Sequence, residues 1–219
     1  MDVSGVVGGG RFELQRWLGA GSCGAVFAAW DREEATSVAL KRPHAQEDGP
    51  IARLRGEHAA LAAIRHANVV AGRGLFVDRS RWFLAMELVE GVPLPAARTI
   101  GVREGFAQLC AAVDAIHAAG LVHRDLKASN VLVTAAGRVV VLDLGLAARA
   151  GEGAGSFVGA PSAMSPEQWR GGPVLEASDW YSVGVLLYEC LTGARPFVGE
   201  VTEVAAAKLA GRFTPPRAR

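Results

Sequence analysis

The sequence predicts an α+β fold in two lobes, the first strand-rich with one amphipathic helix, the second mainly helical. Three observations lead there. Residues 11–41 read as strands around a cluster of glycines. Apolar residues return at helical spacing in three later stretches. A break at Gly91-Val92-Pro93 parts the two patterns. Half of the 219 residues are apolar and 21% are charged, which is ample to bury a core.

The elements follow in order. Residues 1–10 read as a flexible leader, with Gly8 to Gly10 at its end, and 11–90 as the first lobe. From Arg11 to Lys41 the pattern is strand-like, turning at Gly19 to Gly24. Asp48, Gly49 and Pro50 read as a break. Ile51, Leu54, His58, Leu61 and Ile64 then recur at helical spacing. Val69–Val77 and Trp82–Val89 are two further expected strands. Residues 91–219 form the second lobe. Phe106, Leu109, Cys110, Val113, Ile116 and His117 mark a helix, with Gly120 as its cap. Val131–Val133 and Val139–Leu142 flank the turn Ala135-Ala136-Gly137-Arg138, a hairpin. Gly145–Gly159, rich in Gly and Ala, reads as a mobile loop. Ser178–Leu191 is apolar nearly all round and reads as a buried helix.

Composition excludes several classes. Lys+Arg 23 against Asp+Glu 22 leaves a net charge of +1, with no electrostatic footprint for nucleic acid or an anionic membrane. Cys23, Cys110 and Cys190 lie far apart and show no metal spacing, so they read as reduced thiols of a cytoplasmic protein. No apolar run approaches the roughly 20 residues needed to span a bilayer. Met1-Asp2 and the glycines after them do not resemble a signal peptide.

Two constellations point to phosphate chemistry. Gly19-Ala20-Gly21-Ser22-Cys23-Gly24 fits GxGxxG, a weak signal by itself. Ala25 to Trp30 reads as strand rather than helix, so the glycines make a flap whose amides can lie over phosphates. Val38-Ala39-Leu40-Lys41 ends in an ammonium. Glu57, at the edge of the helix's apolar stripe, needs a partner, and Lys41 is the nearest candidate; local pairing with Arg53 is the alternative. The second constellation is His123-Arg124-Asp125-Leu126-Lys127-Ala128-Ser129-Asn130, followed by Asp143-Leu144-Gly145. If the two flanking strands pair antiparallel, Asn130 and Asp143 meet at one end of the hairpin, a donor pair that suits Mg²⁺. Asp125 on the same loop can accept a hydroxyl proton, and Lys127 can offset charge on a transferring group. The bland alternative is an ordinary polar turn.

Taken in order, these motifs resemble bacterial Ser/Thr protein kinases of the eukaryotic-like (Hanks) type. The match adds His66-Ala67-Asn68-Val69-Val70, the stretch Phe83–Gly91, Ser165-Pro166-Glu167 and Ser178–Gly184, the last resembling the helix that anchors the catalytic loop. The resemblance implies a protein-kinase-like two-lobed fold, antiparallel-sheet N-lobe and mainly helical C-lobe, incomplete at the C-terminus. It implies ATP and Mg²⁺ in the cleft and a protein Ser/Thr hydroxyl as acceptor. Lys41, held by Glu57, would meet the α/β-phosphates; Asn130 and Asp143 would hold Mg²⁺; Asp125 would orient and deprotonate the acceptor. Gly19, Ala20, Gly21, Ser22 and Gly24 would cover the phosphates. Val26, Ala39 and Leu132 would sandwich adenine, with Met86 as gatekeeper and Glu87 and Leu88 offering backbone hydrogen bonds.

Four departures qualify the match. Leu144 stands for the usual Phe, and Ala160 for a Thr whose hydroxyl ties the substrate platform to Asp125 and Lys127. Ala163 replaces an aromatic. The chain stops at Arg219, before the helices that bring an Arg to Glu167, so an exposed apolar patch and further domains or a covering partner are expected. Arg124 suits a phosphorylated loop, with Ser156 as the candidate site. The competing readings are an inactive ATP-binding scaffold and, from the glycine loop alone, a nucleotide-binding oxidoreductase.

Overall fold

The computed structural model describes residues 5–21, 24–151 and 159–216. The chain divides into two compact units, one of residues 1–65 and 70–89, the other of 66–69 and 90–219.

The first unit is a six-stranded antiparallel sheet with one helix. Its strands are β1 (Gly5–Val7), β2 (Phe12–Gly21), β3 (Gly24–Asp31), β4 (Thr36–Arg42), β5 (Gly72–Asp78) and β6 (Arg81–Glu87), in spatial order β1-β2-β3-β4-β6-β5. Helix α1 (Asp48–Ala63) packs on β5 and β6. Period-2 alternation assigns the faces. Val38 and Leu40 of β4 point with Ala29, Phe83 and Ala85 into a cluster closed by Phe12. The Phe12, Phe76 and Phe83 rings stack there at 4.8 and 5.3 Å. The opposite face carries Ala39 and Lys41. The register Val26↔Lys41 and Ala39↔Met86 adds Val26 and Met86 to it. Asp31 closes the β3–β4 hairpin by accepting from Arg11 at 2.8 and 2.7 Å and from the amides of Glu33 and Glu34.

The second unit is built on α2 (Val102–Ala118) and α4 (Glu176–Thr192), which pack together. Phe106, Leu109, Val113 and Ile116 line the buried stripe of α2. Strands β7 (Gly91–Pro93), β9 (Val131–Thr134) and β10 (Val139–Val141) form a sheet in the order β10-β9-β7, and β8 (Leu121–Val122) pairs with β11 (Ala148–Arg149). Helices α3 (Pro166–Trp169) and α5 (Val201–Leu209) complete it. Gly193, at φ 72, ends α4 in the left-handed conformation that glycine adopts without a Cβ penalty. Gln108 of α2 accepts from Asn68 and from the Val139 amide, and donates to the Gly137 carbonyl. Among the described residues no helix is long and apolar enough to cross a membrane.

Several sequence expectations change. Residues 5–7 of the expected leader are a strand paired with β2, and the Gly8 amide donates to Asp78. Asp48-Gly49-Pro50 is the first turn of α1 rather than a break; a proline there gives up an N–H that has no helical partner anyway. Val69 bridges Val141 in the second unit, and β5 begins only at Gly72. Gly91–Pro93, read as a break, is a strand of the second unit paired with β9. Within the expected mobile loop, Ala148 and Arg149 are paired with β8. The helix read as buried keeps Leu187 and Leu191 exposed.

Candidate active site

In the first unit, the glycines lie at the β2–β3 hairpin, with Gly19↔Val26, Ala20↔Ala25 and Gly21↔Gly24 opposed. Gly24 is required: its φ is +149, and a Cβ would collide with the Arg42 carbonyl. The imidazole Nε2 of His44 donates to the Gly21 carbonyl at 2.7 Å, tying the hairpin to the segment after β4. Ser22 lies outside the described residues.

Glu57 has the partner expected from the sequence. Lys41 Nζ donates to its two oxygens at 2.9 and 2.7 Å, with side-chain exposures of 4% and 1%. β4 alternation and the α1 stripe aim both groups inward, where each offsets the cost of burying the other. Lys41 shares its sheet face with Val26, Ala39 and Met86. The Glu87 amide is committed to the Ala71 carbonyl at 2.8 Å, so any ligand bond from Glu87 must use its carbonyl. Leu88 follows directly after β6.

In the second unit, the loop from His123 to Asn130 is held at both ends. The Asp179 carboxylate of α4 accepts from the His123 and Arg124 amides at 2.8 and 2.9 Å and pairs with His117 Nε2 at 2.8 Å. The Asp125 amide donates to His123 Nδ1, which puts that ring's proton on Nε2, facing the Leu142 carbonyl at 3.0 Å. Arg124, at φ +68, donates through Nε to the Leu146 carbonyl at 2.6 Å.

Asp125, 5% exposed, sits inside a ring of donors. Its Oδ2 accepts from Lys127 Nζ at 2.6 Å and Asn130 Nδ2 at 3.1 Å; its Oδ1 accepts from the Ala160 amide at 2.9 Å. The Asp125 half of the tie expected from a Thr hydroxyl at position 160 is thus made by the backbone amide. Asn130 Nδ2 also donates to the Asp125 carbonyl at 2.9 Å, and its Oδ1 accepts from the Ser129 hydroxyl at 3.4 Å. The β9–β10 register opposes Val131 and Val141, and the Leu142 amide donates to the Asn130 carbonyl at 2.8 Å, so Asp143 is one residue beyond Asn130's partner. Asp143 has φ +58, and its Oδ1 accepts from the Gly145 amide. A hard oxygen pair of one carboxylate and one amide fits Mg²⁺, which keeps water and phosphate oxygens in its other positions. Leu132 opposes Pro93 and Val140. Leu144 and Ala163, two departures from the family pattern, are both buried.

Glu167 accepts from the Ser178 hydroxyl. Burial works to raise its pKa, but that bond, its own backbone amide, the Ser165 side chain and the charge of Arg170 hold it below the ordinary value. Sequence reasoning omitted Asp179 and His117 from the site, although it singled out the helix carrying Asp179. The Ala160 amide carries no residue-type signal at all. Ser156 lies outside the described residues.

The protein kinase domain model matches residues 12–214, and the chain belongs to the protein kinase family. It is similar to the serine/threonine-protein kinase PknA of Mycobacterium tuberculosis, 34% identical over 235 residues, covering 97% of this chain and 54% of PknA. It is 37% identical to the serine/threonine-protein kinase Pkn1 of Myxococcus xanthus over 224 residues, 94% of this chain and 32% of Pkn1. AtPK1/AtPK6 of Arabidopsis thaliana is 34% identical over 209 residues, 90% of this chain and 45% of that kinase. The chain spans about half or less of the length of these relatives.

Proposed function

We propose that the chain is the catalytic part of an ATP-dependent protein serine/threonine kinase. The acceptor O–H bond breaks and its proton passes to the Asp125 carboxylate. The acceptor oxygen bonds to the γ-phosphorus while the bond to the β,γ-bridging oxygen breaks, releasing ADP. The observation that carries this reading is the Asp125 ring. A carboxylate held by Lys127, Asn130 and the Ala160 amide is fixed in direction, which is what orienting a hydroxyl requires.

The remaining roles follow the chemistry of each group. Lys41, fixed by Glu57, would neutralise the α/β-phosphates, and the hairpin bearing Gly19, Ala20, Gly21 and Gly24 would cover them. Val26, Ala39, Met86 and Leu132 offer apolar surface to adenine, with backbone groups of Glu87 and Leu88 at its edge. Asp143 and Asn130 would hold Mg²⁺, which when bound offsets phosphate charge. Lys127 would offset charge on the transferred group. Arg124 would receive a phosphate on Ser156; full activity with Ser156 unmodified, read by mass spectrometry, contradicts that role. We place the reaction in the cytoplasm, where ATP and Mg²⁺ are supplied.

The test is transfer from γ-labelled ATP to casein, followed by phosphoamino-acid analysis. The reading expects label on serine or threonine. ATP binding without any transfer would leave a scaffold.

A further inference from the structure

Lys208 of α5 is 3% exposed, and among the described residues no carboxylate pairs with it. Lys41, the other buried lysine among them, has Glu57. Lys208 Nζ instead donates to the carbonyls of Ser162 and Met164 at 2.8 and 2.6 Å. It also lies 5.1 and 5.2 Å from the ring centroids of Tyr181 and Phe197. The carbonyl between those two, Ala163, accepts from the Ser182 hydroxyl at 2.9 Å. Three successive carbonyls are therefore held from below by side chains of α4 and α5.

The strand of chain they hold has two roles above it. Two residues before it, Ala160 accepts from the Ala163 and Met164 amides and donates its own amide to Asp125 Oδ1. Ala160, Ser162 and Ala163 also line a cavity of about 350 Å³ together with Lys127. An apolar side chain at position 208 would avoid the cost of burying an ammonium, a cost visible in a pKa pushed down by burial to about 8. What an apolar residue could not do is satisfy the two carbonyls.

We propose that Lys208 is a positioning residue for the protein acceptor: through the Ser162 and Met164 carbonyls it sets the segment 160–164, which walls the cavity beside Lys127 and fixes the Asp125 carboxylate. The proposal rests on the kinase reading and adds a residue to its acceptor side.

The test compares the wild-type chain with Lys208→Met, which keeps the length and loses charge and donors, and Lys208→Arg, which keeps both. Two quantities are read: steady-state constants with casein and ATP–Mg²⁺, and hydrogen exchange of the amides in 160–164. Lys208→Met is expected to raise KM for casein about tenfold, the effect of losing hydrogen bonds from a charged donor. KM for ATP should stay within about twofold, because no ground-state contact to ATP is removed. Exchange at Ala160, Ala163 and Met164 should accelerate, and Lys208→Arg should recover most of the casein KM. If Lys208→Met does not fold, Lys208→Gln, a neutral donor, is read in the same way. Unchanged exchange, an unchanged casein KM, or an equal rise in both KM values overturns the proposal. A wild-type chain that transfers nothing to casein overturns the kinase reading instead, and the exchange measurement still decides whether Lys208 holds the segment.

Discussion

Lys41 and Glu57 bury one charge of each sign within 3 Å, and their removal is not symmetrical. Lys41→Met leaves a carboxylate buried without its ammonium, so it should abolish transfer and cost about 3–5 kcal/mol of stability. Adding Glu57→Leu should return most of the stability and none of the activity; denaturant melts alongside the transfer assay check both. A single variant as stable as the double would contradict the account. Asp31 makes a second residue-scale prediction. Arg11's hydrogen bonds draw its carboxyl below the ordinary 3.8, against the upward push of burial. The folded form then binds fewer protons than the unfolded, so this stability is present above 3.8 and lost as pH falls through the depressed value. Asp31→Asn should lower stability at neutral pH by about 2 kcal/mol and flatten its pH dependence below pH 4. Equal slopes for the two proteins would reject the assignment. Burial and then the Glu189 charge push Cys190 up to about 11, so thiol alkylation at pH 8 should be slow until the chain unfolds. At this scale the Lys41–Glu57 pair was legible because each lies on an element with a clear period. Lys208 was not, since no sequence pattern marks a lysine for burial, and neither was the Ala160 amide, since every residue but proline has one.

Helix α4 is the element on which the loop from His123 to Asn130 rests. Asp179 takes two successive loop amides and His117 of α2, joining two helices to the chain that bears Asp125. Asp179→Asn keeps the shape but replaces one acceptor oxygen with a donor facing an N–H. Turnover should fall about 10–100-fold through a displaced Asp125, with ATP affinity preserved. A parallel loss of ATP binding would mean that Asp179 holds more than the loop. The β9–β10 hairpin and the apolar stripes of α1 and α2 were legible because each carries its own period and turn residues. Strand β1 was not: three residues followed by three glycines give no alternation to count. Pro50 misled because whether proline breaks a helix depends on its position in the turn, which composition does not state. The resemblance pointed to the anchoring helix but not to the Asp179 contacts with His123 and Arg124, whose partners lie 56 and 55 positions apart in sequence.

For the whole molecule, the order of motifs along one chain identified the family, and two separately compact units carry them. In the second unit Leu187 and Leu191, one helical turn apart on α4, stay exposed, as do Val201, Leu209 and Phe213. Exposed apolar area of this kind drives association. The double variant Leu187→Glu, Leu191→Lys should reduce self-association in sedimentation while changing stability by less than about 1 kcal/mol. Unchanged sedimentation would show that this face is not what associates. The central claim is that Asp125, aimed by its three donors, orients the acceptor hydroxyl. Single-turnover transfer to casein by Asp125→Asn, at saturating ATP–Mg²⁺, tests it most directly. The account predicts a loss of at least about 10²-fold in rate with ATP affinity unchanged. Transfer within a few-fold of wild type would contradict it.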